Sequence, residues 1–261
     1  MLYVRTLYYQ RSLISTTSVV NVMSNKQTLY FLPGTMCDQA LWTSTWERLH
    51  PYFDCIHLPI PSGNSIDEIV EQLHLSLPEQ AVSLIGFSLG GYLVSALAAK
   101  YPLKFSKLMV ISNCPASLPL KEIKQRENTL AWLKKFEYQG MPLAKIQQLL
   151  HPNHHQNKNI IDLIVNMENR LGATTLTNQL SATTHRQNMF KQLTHLPIPI
   201  KFTFGDRDNL VDTIFMQEQA KLNDKWQLEI INDCGHTLPI EQPVALSNSI
   251  IQWFAYEQNN C

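Results

Sequence analysis

Apolar and polar positions divide this chain into two kinds of block. Short apolar runs, Thr28 to Leu32, Cys55 to Leu58, Ala81 to Ile85, Leu108 to Ser112, Ile200 to Phe204 and Trp226 to Ile231, have the length and the Pro, Gly or polar boundaries of strands. Longer segments with helical spacing lie between them. One should run after Asp38 to about His50, one is opened by the capping box Ser65-Ile66-Asp67-Glu68, and one covers Tyr92 to Ala99. Strands alternating with helices predict a mostly parallel, doubly wound sheet with helices on both faces. Between Pro119 and Lys191 the alternation stops, and the pattern predicts three or four helices with polar breaks at Gly140-Met141-Pro142 and His151-Pro152-Asn153. The expected organisation is a core of residues 27–118 and 192–261, a helical insertion at 119–191 and an N-terminal segment, 1–26, that stands apart.

Gly86-Phe87-Ser88-Leu89-Gly90 joins the third of these strands to the helix behind it. A Gly-x-Ser-x-Gly in that context is a nucleophile elbow, a turn sharp enough to hold Ser88 in a strained conformation at the C-terminal edge of a sheet. Side chains at positions 86 and 90 would collide with neighbouring backbone, so both are Gly. Two later segments supply partners. Gly205-Asp206-Arg207-Asp208 follows the fifth strand, and Cys234-Gly235-His236 follows the sixth, with Glu241-Gln242-Pro243 behind it. A serine hydroxyl is a poor nucleophile until a histidine removes its proton and a carboxylate orients the imidazole.

In these segments and their order, the chain resembles the α/β-hydrolase family in its compact esterase branch, over roughly residues 27 to 257. The resemblance implies an α/β-hydrolase fold in which 119–191 form the helical cap over the pocket. It implies the triad Ser88, His236 and Asp208, with Asp206 the competitor in the same turn. It also implies an oxyanion hole of two backbone amides, Leu89 and Thr35, with Met36 the alternative to Thr35. The second donor sits in Leu32-Pro33-Gly34-Thr35-Met36, where Pro33 replaces the family's usual His.

Composition narrows this only a little. In 261 residues with 44% hydrophobic content there is enough apolar material for one sizeable core and no stretch long enough to span a membrane. Cys37, Cys55, Cys114, Cys234 and Cys261 are scattered, which points to reduced thiols in a cytoplasm and to neither a disulfide framework nor a zinc site. His151, His154 and His155 lack an acid or Cys nearby in sequence to complete a metal set and read as a polar loop. No phosphate loop, dinucleotide fingerprint or basic-aromatic nucleic-acid pattern is present, so neither cofactor nor nucleic acid is expected. Residues 1–26 carry Arg5, Arg11 and Lys26 with no acid. They are too polar for a secretory signal and fit an organellar presequence, an edge hairpin of 2–9 with 18–22, or a leader to a start at Met23.

Net charge is zero, yet ten Lys and Arg face five acids between Lys121 and Lys191. A basic cap on an acidic body suggests steering of an acidic substrate or carrier, and solvated helix faces are the plainer explanation. The small basic cap and the entry segment ending at Trp42 are similar to pimeloyl-acyl-carrier-protein methyl ester esterases of biotin synthesis. That resemblance implies an acyl carrier protein at the cap. General short-chain esterases, lactonases, thioesterases, carbon–carbon bond hydrolases and a menaquinone-pathway lyase share the same motifs. A non-catalytic binding module on the same fold is the alternative of a different class.

Overall fold

The computed structural model describes residues 26–255. The expectations for an edge hairpin, a presequence or a start at Met23 lie outside the described residues. Six strands, β1 (Gln27–Leu32), β2 (Phe53–His57), β3 (Val82–Phe87), β4 (Phe105–Ile111), β5 (Ile200–Gly205) and β6 (Trp226–Ile231), form one sheet in the order β2-β1-β3-β4-β5-β6. Every pairing is parallel. β3 and β5 are buried at every residue, as strands covered on both faces must be, whereas the edge strand β2 alternates and the edge strand β6 is half-buried along its middle.

Helices cover both faces. α1 (Thr43–Leu49) and α10 (Pro243–Ala255) lie on one side, where Phe31 packs edge-on to Trp42 and Trp46 at 5.1 and 5.4 Å. α2 (Ile66–Leu75) and α3 (Leu89–Lys100) lie on the other, and α3 is apolar nearly all round because sheet and helices enclose it. The helix expected after Asp38 starts there, but its first turn, Gln39–Trp42, is 3₁₀, capped by the Asp38 carboxylate on Ala40 N–H, and only then does it become α1. At α2 half of the capping box forms. Ser65 Oγ accepts from Glu68 N–H, but the Glu68 carboxylate turns to Asn64 N–H at 2.8 Å.

Between β4 and β5 lie α4 (Leu120–Leu133), α5 (Leu143–Leu149), α6 (Lys158–Thr183) and α7 (Phe190–Thr194). α4 has no buried residue, and α6 is broken at Gly172, whose φ of 70° and ψ of 178° are not helical. After β5 come α8 (Thr213–Lys221), β6 and the short α9 (Leu238–Glu241). Strand order reverses between β1 and β3, since β1 leads outward to β2 and the chain then returns to the other side. In an open parallel sheet that switch point is where loops part and a ligand site forms. The loops leaving β1 and β3 there carry Thr35 and Ser88.

Candidate active site

Ser88 sits at φ 50° and ψ −113°, a conformation that only a tightly enforced turn holds. The enforcement is backbone against backbone. A Cβ at Gly86 would lie 2.3 Å from Gly90 O, and one at Gly90 would lie 2.4 Å from Leu32 O. The elbow is therefore pressed onto itself and onto the end of β1. Ser88 N–H donates to Ile111 O at 2.8 Å, tying the turn to β4. Leu89 is the first residue of α3, so its N–H has no partner four residues back and points out at the positive end of the helix.

The loop after β1 passes directly over this turn, because a Cβ on Gly34 would meet the Phe87 ring at 2.8 Å and Ser88 Cβ at 3.2 Å. Thr35 and Met36 follow at once. Met36 N–H is already donated to Gln179 Oε1 of α6 at 3.0 Å, which leaves Thr35 as the loop amide not held by α6.

His236 Nε2 lies 3.0 Å from Ser88 Oγ, and His236 Nδ1 lies 3.0 Å from both oxygens of Asp208. With a carboxylate facing Nδ1, that nitrogen carries the proton and Nε2 is free to accept from the serine. Asp208 and His236 are buried, and Ser88 is half-buried. Burial opposes ionisation of Asp208, but His236 and the Leu210 amide outweigh it and hold the carboxyl below its ordinary range. Burial likewise disfavours the His236 cation, and the Asp208 charge outweighs it and raises the imidazole pKa above its ordinary value. Asp206 does not reach this group. Its exposed carboxylate accepts from Cys234 N–H at 3.0 Å and braces the turn from outside.

Three further residues converge on the site that the motifs alone did not assign. Glu241 is a buried hub. Oε1 accepts from Thr237 N–H at 3.1 Å and from its hydroxyl at 2.8 Å, while Oε2 contacts His151 N–H at 2.6 Å and His154 Nδ1 at 2.9 Å. It thus joins the His236 loop to the segment after α5, and at the end of α5 itself Leu149 O accepts from His236 N–H at 2.7 Å. The acid that His151 and His154 lack in sequence is therefore supplied in space, as a hydrogen-bond acceptor. Among the described residues no group of His, Cys, Asp and Glu is arranged to hold a metal. Arg170 donates to both oxygens of Asp38 at 2.7 and 3.1 Å, and Gln179 is the third. The acid two places before Pro243 was a visible signal for Glu241, whereas Arg170 and Gln179 were ordinary polar positions on a helix.

Burial, with Asp38 and Glu168 adding repulsion, pushes the Cys37 thiol up to about 12, and burial with Glu241 beside it raises Cys234 as well. A cleft opens next to the Thr35 loop between Ile60, Pro61, Ser62, Gly63 and Ile69 on one side and Thr175, Asn178 and Gln179 on the other.

Comparison with known proteins places this chain in a family. Human monoacylglycerol lipase ABHD6 is 22% identical over 267 residues, covering 90% of this chain and 77% of the relative. The biotin biosynthesis bifunctional protein BioHC of Teredinibacter turnerae is 23% identical over 256 residues, covering 88% of this chain and 45% of that protein. A thermophilic esterase from Thermogutta terrifontis superposes with a TM-score of 0.79 at 21% identity, over 88% of this chain and 90% of that one, and shares the fold. The model of the family described as serine aminopeptidase, S33 (Hydrolase_4), matches residues 64–243, more than half of the chain. With a six-stranded parallel sheet flanked by helices and that match, the chain belongs to this α/β-hydrolase family and is a serine hydrolase.

Proposed function

We propose that the protein cleaves a carboxylic ester through an acyl-enzyme on Ser88. The observation that carries the reading is the continuous chain of contacts from Ser88 Oγ to His236 Nε2 and from His236 Nδ1 to Asp208, each 3.0 Å long. Ser88 Oγ attacks the ester carbonyl while His236 Nε2 takes its proton, and Asp208 stabilises the imidazolium that forms. The carbonyl oxygen becomes an oxyanion between the N–H groups of Leu89 and Thr35. Collapse of the tetrahedral intermediate expels the alcohol, which takes the proton from His236. Water, deprotonated by the same imidazole, then attacks the acyl-enzyme and frees Ser88. No residue in this scheme calls for a cofactor. α4 to α7 serve as the cap over the pocket, and the free thiols Cys37, Cys55, Cys114 and Cys234 suit a reducing cytoplasm.

A finer reading is that the ester is the methyl ester of a pimeloyl chain borne by an acyl carrier protein. One observation favours it. Several bases of the 119–191 segment are neutralised or buried, Arg126 on Glu122, Arg170 on Asp38, Lys158 on Asp162, and Arg186 on the carbonyls of Ala116 and Cys114. Lys121, Lys124, Lys134 and Lys135 are exposed on and just beyond α4 and take part in none of the ion pairs among the described residues, leaving a positive face for an acidic carrier.

The test is a panel assayed with purified enzyme: p-nitrophenyl butyrate, a lactone, a thioester and a carrier-linked methyl ester, with mass spectrometry of the quenched reaction. The ester reading expects turnover of p-nitrophenyl butyrate and an acyl mass on Ser88. The carrier reading expects turnover of the carrier-linked ester to fall steeply above about 0.1 M salt, where the Debye length is near 10 Å, while p-nitrophenyl butyrate is unaffected. Equal salt responses remove the carrier and leave a small-ester hydrolase. No acyl mass and no ester turnover would remove both.

A further inference from the structure

α6 grips the loop that carries Thr35 at two points, and the more buried of them has no part in the scheme above. Gly34 to Cys37 form a four-residue turn closed by Cys37 N–H on Gly34 O at 3.2 Å, with Met36 in its third position at φ 55°. That position is ordinarily taken by Gly or Asn, because a larger side chain is strained there. Two contacts hold Met36 in place, both from the C-terminal half of α6. Its side chain is buried against Leu176 and Leu180, and its N–H donates to Gln179 Oε1 at 3.0 Å. Gln179 is itself 93% buried, since its relative exposure is 7%.

The Thr35–Met36 peptide is one planar unit, so fixing its N–H also fixes its carbonyl on the opposite side. That carbonyl accepts from Cys37 Sγ at 3.4 Å. With Gln179 in place the Thr35–Met36 peptide is held in one orientation; the Thr35 N–H lies in the preceding Gly34–Thr35 peptide, which joins it at the Thr35 Cα and is closed into the same turn by Cys37 N–H on Gly34 O. Asp38, two residues on, is held by Arg170. Gly172 lies between the two anchors, and its break in the helix lets each half of α6 present one of them.

We propose that Gln179 is a positioning residue for oxyanion stabilisation: through Met36 N–H it locks the loop so that the Thr35 amide faces the carbonyl oxygen of the substrate. The cap would then tune the rate of the chemical step from outside the triad. This rests on the reading of Ser88 as nucleophile and Thr35 as donor.

The test uses the full-length enzyme with p-nitrophenyl butyrate and a butyl trifluoromethyl ketone, which forms a tetrahedral adduct on the serine. Gln179→Leu keeps the bulk and removes the acceptor, and Gln179→Met serves if the leucine variant does not fold. The expected result is kcat lower by about 10- to 100-fold, KM within about threefold of wild type, and ketone affinity reduced in step with kcat/KM. A kcat within twofold of wild type would overturn the proposal. So would a loss carried by KM alone with ketone affinity unchanged, because that is the signature of a substrate contact. Ser88→Ala, assayed alongside, separates the two layers. Turnover by Ser88→Ala would remove the nucleophile reading itself, whereas a silent Ser88→Ala beside an unimpaired Gln179→Leu removes only the positioning role.

Discussion

The loops at the C-terminal edge of the sheet and the helices between β4 and β5 are held by different kinds of contact. At the sheet edge the fit is backbone on backbone. A Cβ at Gly205 would lie 2.2 Å from Gly235 O, and one at Gly90 would lie 2.4 Å from Leu32 O. Such a fit has no slack, and it sets Ser88, Asp208 and His236 to within hydrogen-bond tolerance. Apart from one backbone seam, where Gly235 and His236 meet Leu149 and His151, the helical segment is held by side chains reaching across: Arg170 to Asp38, Gln179 to Met36, His154 to Glu241, and Arg186 to Cys114 O while stacked 4.6 Å over the Tyr92 ring. Side-chain clamps can be changed one at a time, whereas interlocked backbone cannot. The difference separates a rigid sheet edge from helices whose contacts can be altered singly.

Substitutions can break or sharpen this contrast, beginning where the effect is largest. Ser88→Ala should lower kcat/KM for p-nitrophenyl butyrate by roughly 10³-fold or more while leaving the thermal midpoint within a few degrees, because the hydroxyl is needed only for chemistry. Steady-state kinetics and calorimetry check it, and retained turnover would remove Ser88 from the mechanism.

Asp208→Asn should cost on the order of 10³- to 10⁴-fold, and Asp206→Asn less than about tenfold, because only Asp208 touches the imidazole. The pH profile gives a second reading of the same pair. Catalysis requires neutral His236, and its pKa is raised above 6.5. The acid limb of kcat/KM in the native enzyme should therefore lie above 6.5, with activity falling as pH drops through it. In Asp208→Asn burial acts without the compensating charge, and the limb should move to lower pH. An unmoved limb would show that another group titrates.

Gly205→Ala and Gly172→Ala compare the two regions directly. At Gly205 the added methyl has nowhere to go, so unfolding or a loss of at least about 3 kcal/mol is expected. At Gly172 nothing lies within 4 Å of the added Cβ, and the cost should be about 1–3 kcal/mol, from a backbone conformation at φ 70° and ψ 178° that is essentially open only to Gly. Denaturant titration decides it, and equal costs would abolish the distinction. The smallest effect belongs to Arg170→Ala. Its ion pair with Asp38 is half-exposed on the arginine side, so stability should change by less than about 1 kcal/mol. Its kcat should fall less than that of Gln179→Leu, because it holds the loop two residues farther from Thr35.

The amino-acid sequence by itself determined what depends on neighbours in the chain. The all-buried runs of β3 and β5, the Gly-x-Ser-x-Gly turn and the order Ser88, Asp208, His236 could be read there, because strand burial and tight turns impose their residue types within a few positions. Tertiary structure alone decided which groups meet across long loops. Asp206 and Asp208 are equivalent in composition, and only the path of the His236 loop makes one a brace and the other a partner. Glu241 is an ordinary acid until the His151 segment folds over it. The break at Gly172 and the reach of Gln179 to Met36, 143 residues away in sequence, are invisible to periodicity. A helical pattern states which face is apolar and leaves open what that face will touch, and the contacts that hold Met36 come from such a face.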